Sequence, residues 1–279
     1  MRFIRIIFLS FLIFSLYKVF SVPSVLAIPD LNSGVNVYKK WDSILDYIKQ
    51  NTSLDIRIMI VKSHRVIEQG FRNKTISYAF VDPLWYIRMF QGNLCKPLMK
   101  VEVGGMGFQR SLLIVHKDSI IRKISDLRGR TVALVNNMES SAGYFIPLHL
   151  FKRLFGNSNF EDGYFGRVIF SDSYMSVLKG VAFGKLDAGF VSSNLFEGSG
   201  VDALKNEIRV IFESSKIPQW IIAYRSDLSM KVSSFRKSLL RMGIDKKGKQ
   251  ILSELGFTGF LEVTKEDYLE MSRYIGVMR

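Results

Sequence analysis

The chain has 279 residues, 48% of them hydrophobic, so it is long enough to bury a core in one large domain or two lobes. A net charge of +14 favours anionic partners, but the basic residues are scattered, which argues against nucleic acid. A single cysteine, Cys95, excludes an internal disulfide and a multi-cysteine metal site. The three histidines lack metal-ligand spacing, so the sequence predicts no metal, no cofactor and no catalytic residues.

The N-terminus reads as a targeting segment, with Arg2 and Arg5 before an apolar stretch that runs from residue 6 to 16. This stretch is short for a membrane span, which favours a signal peptide over residues 1–21, with an uncleaved anchor as the alternative. Cleavage as late as Ala27 also fits the small-residue rule, but it would delete a first strand read from "SVLAIPD". We therefore expect an exported, periplasmic or extracytoplasmic protein, either free or membrane-anchored.

The hydrophobic pattern beyond the leader alternates between strand and helix spacing. It predicts, in chain order, a helix over 41–50, a strand over 54–61, a helix over 64–73, strands over 75–81, 110–118 and 130–135, a helix to about 155, a strand over 167–171, a helix over 174–184, strands over 187–193, 208–214 and 220–226, and helices from about 229. This alternation indicates an α/β fold with largely parallel sheets, in which ligands bind beyond the carboxyl ends of strands.

One strand-to-helix junction, "VALVNNMESSAGYFIPLHLF" at 132–151, places Ser140 and Ser141 just before Gly143. Serine is a good helix N-cap and glycine permits a tight turn, so the pattern is typical of an ordinary helix start. Helix N-terminal amides backed by hydroxyls also form a site for an oxyanion. The local sequence alone leaves both interpretations open.

Four stretches over about 75–228 resemble, in order and spacing, the PhnD-like phosphate, phosphite and phosphonate substrate-binding proteins of ABC importers. They are "ISYAFVDPLWYIRM", "DLRGRTVALVNNMESSAGYFIPLHLF", "FSDSYMSVLKGVAFGKLDAGFVSSN" and "VIFESSKIPQWIIAYRSDL". The resemblance implies an α/β, two-lobed type II periplasmic binding protein fold, with two crossover strands near 116–119 and 220–225 and a ligand cleft between the lobes. It assigns residues 22–117 plus 222–279 to lobe 1 and residues 118–221 to lobe 2.

The resemblance also implies the ligand-binding residues. The helix start supplies hydroxyls and amides, and Tyr86 donates from the opposite lobe, so that lobe closure completes the site. The predicted set is Ser140, Ser141, Ala142, Gly143, Tyr86, Tyr174 and Ser192.

The chain departs from the family pattern at several of these positions. Ala142 stands where the family has a third hydroxyl, Tyr174 where many relatives have a histidine, and Ser192 where they have an acidic residue. Phe80 replaces a tyrosine, and Asp82 replaces a glycine. A carboxylate at position 82 would repel an anion unless it is paired or turned away.

The resemblance implies a non-enzymatic, monomeric solute-binding protein that recognises a small oxyanion for the membrane permease of an ABC importer. An alternative is a ligand-sensing module of the same fold, coupled to a membrane signalling partner. A phosphate-ester hydrolase would need a metal cluster or an activated nucleophile, and the sequence offers neither.

Overall fold

The computed structural model describes residues 24–30, 35–135, 140–156, 163–197, 200–228 and 232–274. The strands form a six-stranded sheet, a five-stranded sheet and a two-stranded ribbon. Among the described residues, no helix is both long enough and apolar enough to cross a membrane. The two larger sheets are the cores of two lobes, and the chain passes between them twice.

The six-stranded sheet forms the first lobe and has the order β13-β4-β12-β3-β1-β2. Strand β1 pairs in parallel with β2 and β3, whereas β12 runs antiparallel to both β3 and β4. The strands are β1 (Ser24–Pro29), β2 (Ile56–Val61), β3 (Tyr78–Val81), β4 (Cys95–Glu102), β12 (Ile221–Arg225) and β13 (Gly259–Leu261).

The five-stranded sheet forms the second lobe and has the order β10-β6-β9-β7-β8. Strand β7 is parallel to β8 and β9, while β6 is antiparallel to β9 and β10. The strands are β6 (Ser111–His116), β7 (Thr131–Val135), β8 (Arg167–Ser171), β9 (Ala188–Ser192) and β10 (Ile208–Glu213).

Helices cover the faces of both sheets. A π-helical turn over Ser141–Phe145 leads into α4, and short 3-10 turns cover Ile124–Leu127 and Ser193–Glu197. The α-helices are α1 (Val35–Asn51), α2 (His64–Arg72), α3 (Pro83–Gln91), α4 (Ile146–Phe155), α5 (Tyr174–Ala182), α6 (Asp202–Lys205), α7 (Val232–Met242), α8 (Lys246–Ser253) and α9 (Lys265–Ser272).

The ribbon joins the lobes. Strand β5 (Phe108–Gln109) pairs antiparallel with β11 (Ile217–Pro218), and these two strands lie on the two connections between the sheets. The lobe boundaries at 117/118 and 221/222 stay predictions. Sheet membership differs from them at one strand, because β6 pairs within the second sheet and not the first.

The hydrophobic pattern correctly predicted most of these elements. The strand predicted at 167–171 matches β8. The interpretation of "SVLAIPD" as a first strand is confirmed by β1. The expectation of largely parallel sheets was wrong, because the first strand after each crossing, β6 or β12, pairs antiparallel with its neighbours, and β13 pairs antiparallel with β4. Strands β4, β5, β11 and β13 and helix α3 were missed.

One hydrophobic core connects the two lobes. Apolar residues of β1, β3 and α3 pack in the same cluster as Ala142, Phe145 and Ile146 at the start of α4. Met271 of α9 belongs to this cluster as well. The helix start at residue 140 is therefore held against the first lobe by apolar packing, independently of any polar contact.

Candidate functional site

A polar cavity of about 370 Å³ lies between the lobes, at the carboxyl ends of β3, β7 and β9. This is the position at which open α/β sheets bind ligands. None of the described residues that line it is a lysine or an arginine. The lining residues are Asp82, Gln109, Val135, Ser140, Ser173, Tyr174, Ser192, Asn194, Leu195 and Trp220.

Asp82 is the one carboxylate among the described residues that line this cavity, and it is only 1% exposed. It follows β3 and is the N-cap of α3, where its Oδ1 accepts the Leu84 N–H at 2.9 Å. Its own N–H donates to His64 Nε2 at 3.0 Å. Asp82 is thus a helix N-cap, the role that is typical of an aspartate directly before a proline at the first helical position.

Asp82 also reaches the second lobe. The Ser141 N–H donates to Asp82 Oδ2 at 2.9 Å, and the Ser141 hydroxyl donates to Asp82 Oδ1. The carboxylate therefore lies at the N-termini of two helical segments, one in each lobe, where amide dipoles favour negative charge. This pairing satisfies the condition that the sequence set for a carboxylate at this position.

The protonation of Asp82 is set by opposing effects. Burial raises the pKa of its carboxyl above the ordinary value of 3.8. The hydrogen bonds from Ser141, the nearby His64 and the Leu84 N–H lower the pKa but do not outweigh burial. A second anion placed in the cavity would raise the pKa further, because it would repel the charged form.

The side-chain hydrogen bonds of Ser140 differ from that of Ser141, because they are made to Gly143 and Tyr174 and not to Asp82. The Ser140 Oγ accepts the Gly143 N–H at 3.2 Å, which is the ordinary capping bond, and lies 2.7 Å from the Tyr174 hydroxyl. Burial raises the pKa of Tyr174, so this phenol stays a neutral hydrogen-bond donor. Ser140 and Tyr174 together present hydroxyl groups to the cavity.

The opposite side of the cavity is built from amides and one more hydroxyl. Ser192 donates to Gln109 Oε1 at 2.7 Å, and its Oγ accepts the Asn194 N–H at 3.2 Å. The carboxamides of Asn194 and Gln219 bond to each other in both directions, at 2.7 and 2.8 Å. These contacts tie the 3-10 turn after β9 to both connections between the lobes.

The structure thus brings together only part of the predicted set. Ser140, Tyr174 and Ser192 line the cavity, and Ser141 reaches it through Asp82. Ala142 and Gly143 lie in the helix start behind them, where Ser111 Oγ donates to the Ala142 carbonyl at 2.6 Å and the capping bond uses the Gly143 N–H.

Tyr86 is placed differently from its predicted role. It is fully buried in the core cluster that joins the lobes, with its ring 5.8 Å from that of Phe90, and it does not line the cavity. Its assignment as a ligand donor stays a prediction.

Sequence reasoning missed six lining residues: Gln109, Val135, Ser173, Asn194, Leu195 and Trp220. Ser173 is the N-cap of α5, where its Oγ accepts the Ser176 N–H at 3.2 Å, so a cap signal could have marked it. Gln109 lies in the crossover ribbon, outside the four motifs that carried the resemblance. The sequence drew attention to Asp82, but only as a negative charge that would repel an anion.

Solved structures share this architecture. A binding protein component of an ABC phosphonate transporter from Pseudomonas aeruginosa superposes with a TM-score of 0.68 at 19% identity, covering 90% of this chain and 84% of that one. A PhnD1 of Prochlorococcus marinus in complex with methylphosphonate gives 0.71 at 15%, covering 91% and 98%. A Xanthomonas citri protein bound to ATP gives 0.70 at 21%, covering 91% and 97%.

These likenesses show the two-lobed periplasmic binding protein fold. A family model described as "ABC transporter, phosphonate, periplasmic substrate-binding protein" matches residues 26–268, which is most of the chain. The family is extracytoplasmic and acts in transport, with a small ligand and a membrane permease as partners. The chain therefore belongs to the phosphonate ABC transporter family of periplasmic substrate-binding proteins.

Proposed function

We propose that this protein is an exported, monomeric receptor that binds a small oxyanion, of the phosphate, phosphite or phosphonate type, in the polar cavity and delivers it to the permease of an ABC importer. The observation that carries the proposal is the Asp82–Ser141 contact. A carboxylate is itself an oxyanion, and here it is held by a helix N-terminal amide and a hydroxyl of the second lobe. The contact supports an oxyanion site at this junction, and because Asp82 already occupies the Ser141 donors, the ligand itself would use the neighbouring hydroxyl groups of the cavity.

The hydroxyl groups of Ser140 and Tyr174 support the proposal, because they line the cavity beside this contact and their mutual bond uses only one of their two protons. Neutral donors suit an anion bound without a full countercharge. The ligand would approach Asp82, and two anions at close range are strongly unfavourable. The bound ligand is therefore expected to carry a proton on one oxygen, shared with the Asp82 carboxylate.

Calorimetric titration of the protein with phosphate, phosphite, methylphosphonate and sulfate tests the proposal. We expect binding of at least one phosphorus oxyanion, and weaker binding of sulfate, which has no proton to share at neutral pH. Ser140→Ala should lower the affinity for the oxyanion by about tenfold to a hundredfold, because it removes one hydrogen bond to a charged group. If none of the four anions binds, or Ser140→Ala leaves every affinity unchanged, the cavity is not an oxyanion site.

We further propose that export uses a signal peptide cleaved before β1. Strand β1 lies between β2 and β3 in the first sheet, with Leu26 and Ala27 fully buried. A cut after Ala27 would remove most of a central strand. Mass spectrometry of the native protein should find an N-terminus at or before Ser24, and a terminus at Ile28 would contradict this expectation.

A further inference from the structure

A second cavity, of about 320 Å³, lies in the first lobe beyond the carboxyl ends of β1, β3 and β4. Its lining is apolar except for two carboxamides, and none of the described lining residues is charged. A volume near 300 Å³ is at the lower end of the range for small-molecule sites. The site residues identified above leave this cavity without a role.

Four aromatic rings dominate its lining. The Trp41 and Phe80 ring centroids are 4.8 Å apart, those of Phe80 and Trp220 are 4.9 Å apart, and Phe257 lies 6.0 Å from Phe80. The planes are tilted by 34–55° in these three pairs, and all four rings line the cavity. Phe80, Trp220 and Phe257 are only partly buried.

The two cavities are neighbours. Asn194 and Trp220 line both of them, and the reciprocal Asn194–Gln219 amide pair lies at their boundary. A ligand with a polar head in the first cavity would therefore direct a substituent on that head toward the aromatic cavity. Uncharged walls would exclude a carboxylate substituent, because a buried negative charge there would have no partner and would meet the negative faces of the aromatic rings.

We propose that the aromatic cavity binds a neutral aromatic ring carried by the ligand, so that the preferred solutes are aryl-substituted oxyanions. This rests on the proposed function for the position of the anionic head. A planar ring among four tilted rings can make the offset and edge-to-face contacts that aromatic pairs favour, beyond the gain from burial.

Titrations with phenylphosphonate, methylphosphonate and neutral benzamide test the proposal. Binding is measured by calorimetry and by the change in fluorescence of the tryptophans that line the cavity. Phenylphosphonate should bind at least tenfold more tightly than methylphosphonate. Val103→Phe, which fills the cavity from the end of β4, should abolish this advantage without changing the methylphosphonate affinity. Phe183→Ala is the matched control, because Phe183 is 65% exposed in the other lobe.

The outcomes separate this proposal from the proposed function. Equal affinity for the two phosphonates, or an aryl advantage that survives Val103→Phe, overturns the aromatic site and leaves the oxyanion receptor standing. Binding of benzamide alone, lost in Val103→Phe, supports the aromatic site while the oxyanion function fails. Binding of none of the three probes overturns both.

Discussion

The substitution Asp82→Asn tests the electrostatics of the site most directly. It removes a negative charge that is 1% exposed while keeping nearly the same shape and the Oδ1 that accepts the Leu84 N–H. If an oxyanion occupies the cavity that Asp82 lines, the two charges lie roughly 4–6 Å apart. At an effective dielectric constant of about 20, their repulsion is about 3–4 kcal/mol.

The wild-type protein can avoid this repulsion by protonating Asp82. That costs about 1.4 kcal/mol for each pH unit above the carboxyl pKa, and burial has already raised that pKa. The wild-type penalty therefore grows with pH until it reaches the repulsion energy. Asp82→Asn should consequently bind an anion about two to three orders of magnitude more tightly at high pH, and the gain should shrink as the pH falls.

Sulfate is the best probe for this measurement, because its charge stays constant from about pH 5 to about pH 8, which is roughly the range in which proteins are most stable. Wild-type affinity for sulfate should fall as the pH rises, whereas the Asp82→Asn affinity should stay nearly flat. Asp118→Asn, at a side chain that is 78% exposed, controls for the change in net charge. If Asp82→Asn binds sulfate no more tightly than wild type at pH 8, the assumed repulsion is absent and the reasoning is wrong.

The same variant gives an independent check on stability. A carboxyl whose pKa is raised in the folded state contributes stability that is fully present below its ordinary pKa of 3.8 and is lost as the pH rises through the raised value. Asn does not titrate, so its other costs are independent of pH. The melting temperature of wild type relative to Asp82→Asn should therefore decrease from acid to neutral pH, and an increase would show that the hydrogen bonds outweigh burial.

Four substitutions separate the roles of neighbouring residues, each checked by thermal melting beside calorimetric titration. Ser141→Ala should lower stability by about 1–3 kcal/mol, because it removes a buried bond between the lobes, whereas Ser140→Ala should mainly lower affinity. Gly143→Ala should weaken binding by displacing Tyr174, since a Cβ there would lie 3.0 Å from its ring and hydroxyl. Tyr86→Phe should leave affinity unchanged within about twofold, and a larger loss would restore its predicted role.

Much of the fold could be predicted because it follows local rules. The strand-to-helix junction at 135–146 shows this, since Ser140 makes the capping bond expected of a serine at that position. Strand β13 was missed because it has only three residues and follows two helices. The antiparallel entry of β12 depends on where the chain returns between lobes, which no local pattern records.

The site was less predictable, because its central contact joins residues 59 positions apart in the chain. The resemblance named Ser140, Tyr174 and Ser192 as ligand-binding residues, which stays a prediction, and the structure places all three around one cavity. It could not show that Asp82, which replaces a family glycine, would turn to the second lobe. That orientation requires the N-cap position of α3 in the first lobe and the N–H of Ser141 in the second lobe, which donates to the carboxylate.

The capping interpretation of the serine pair is confirmed at Ser140, whereas the binding of an external oxyanion at this junction stays a prediction. Ser140 caps its helix and offers its hydroxyl to the cavity, while Ser141 gives its amide and hydroxyl to Asp82. A ligand can use the Ser141 donors only by displacing a carboxylate that is already in place, so those donors contribute little net affinity. Discrimination between ligands must then come from Ser140 and Tyr174, and from the proton that the ligand shares with Asp82.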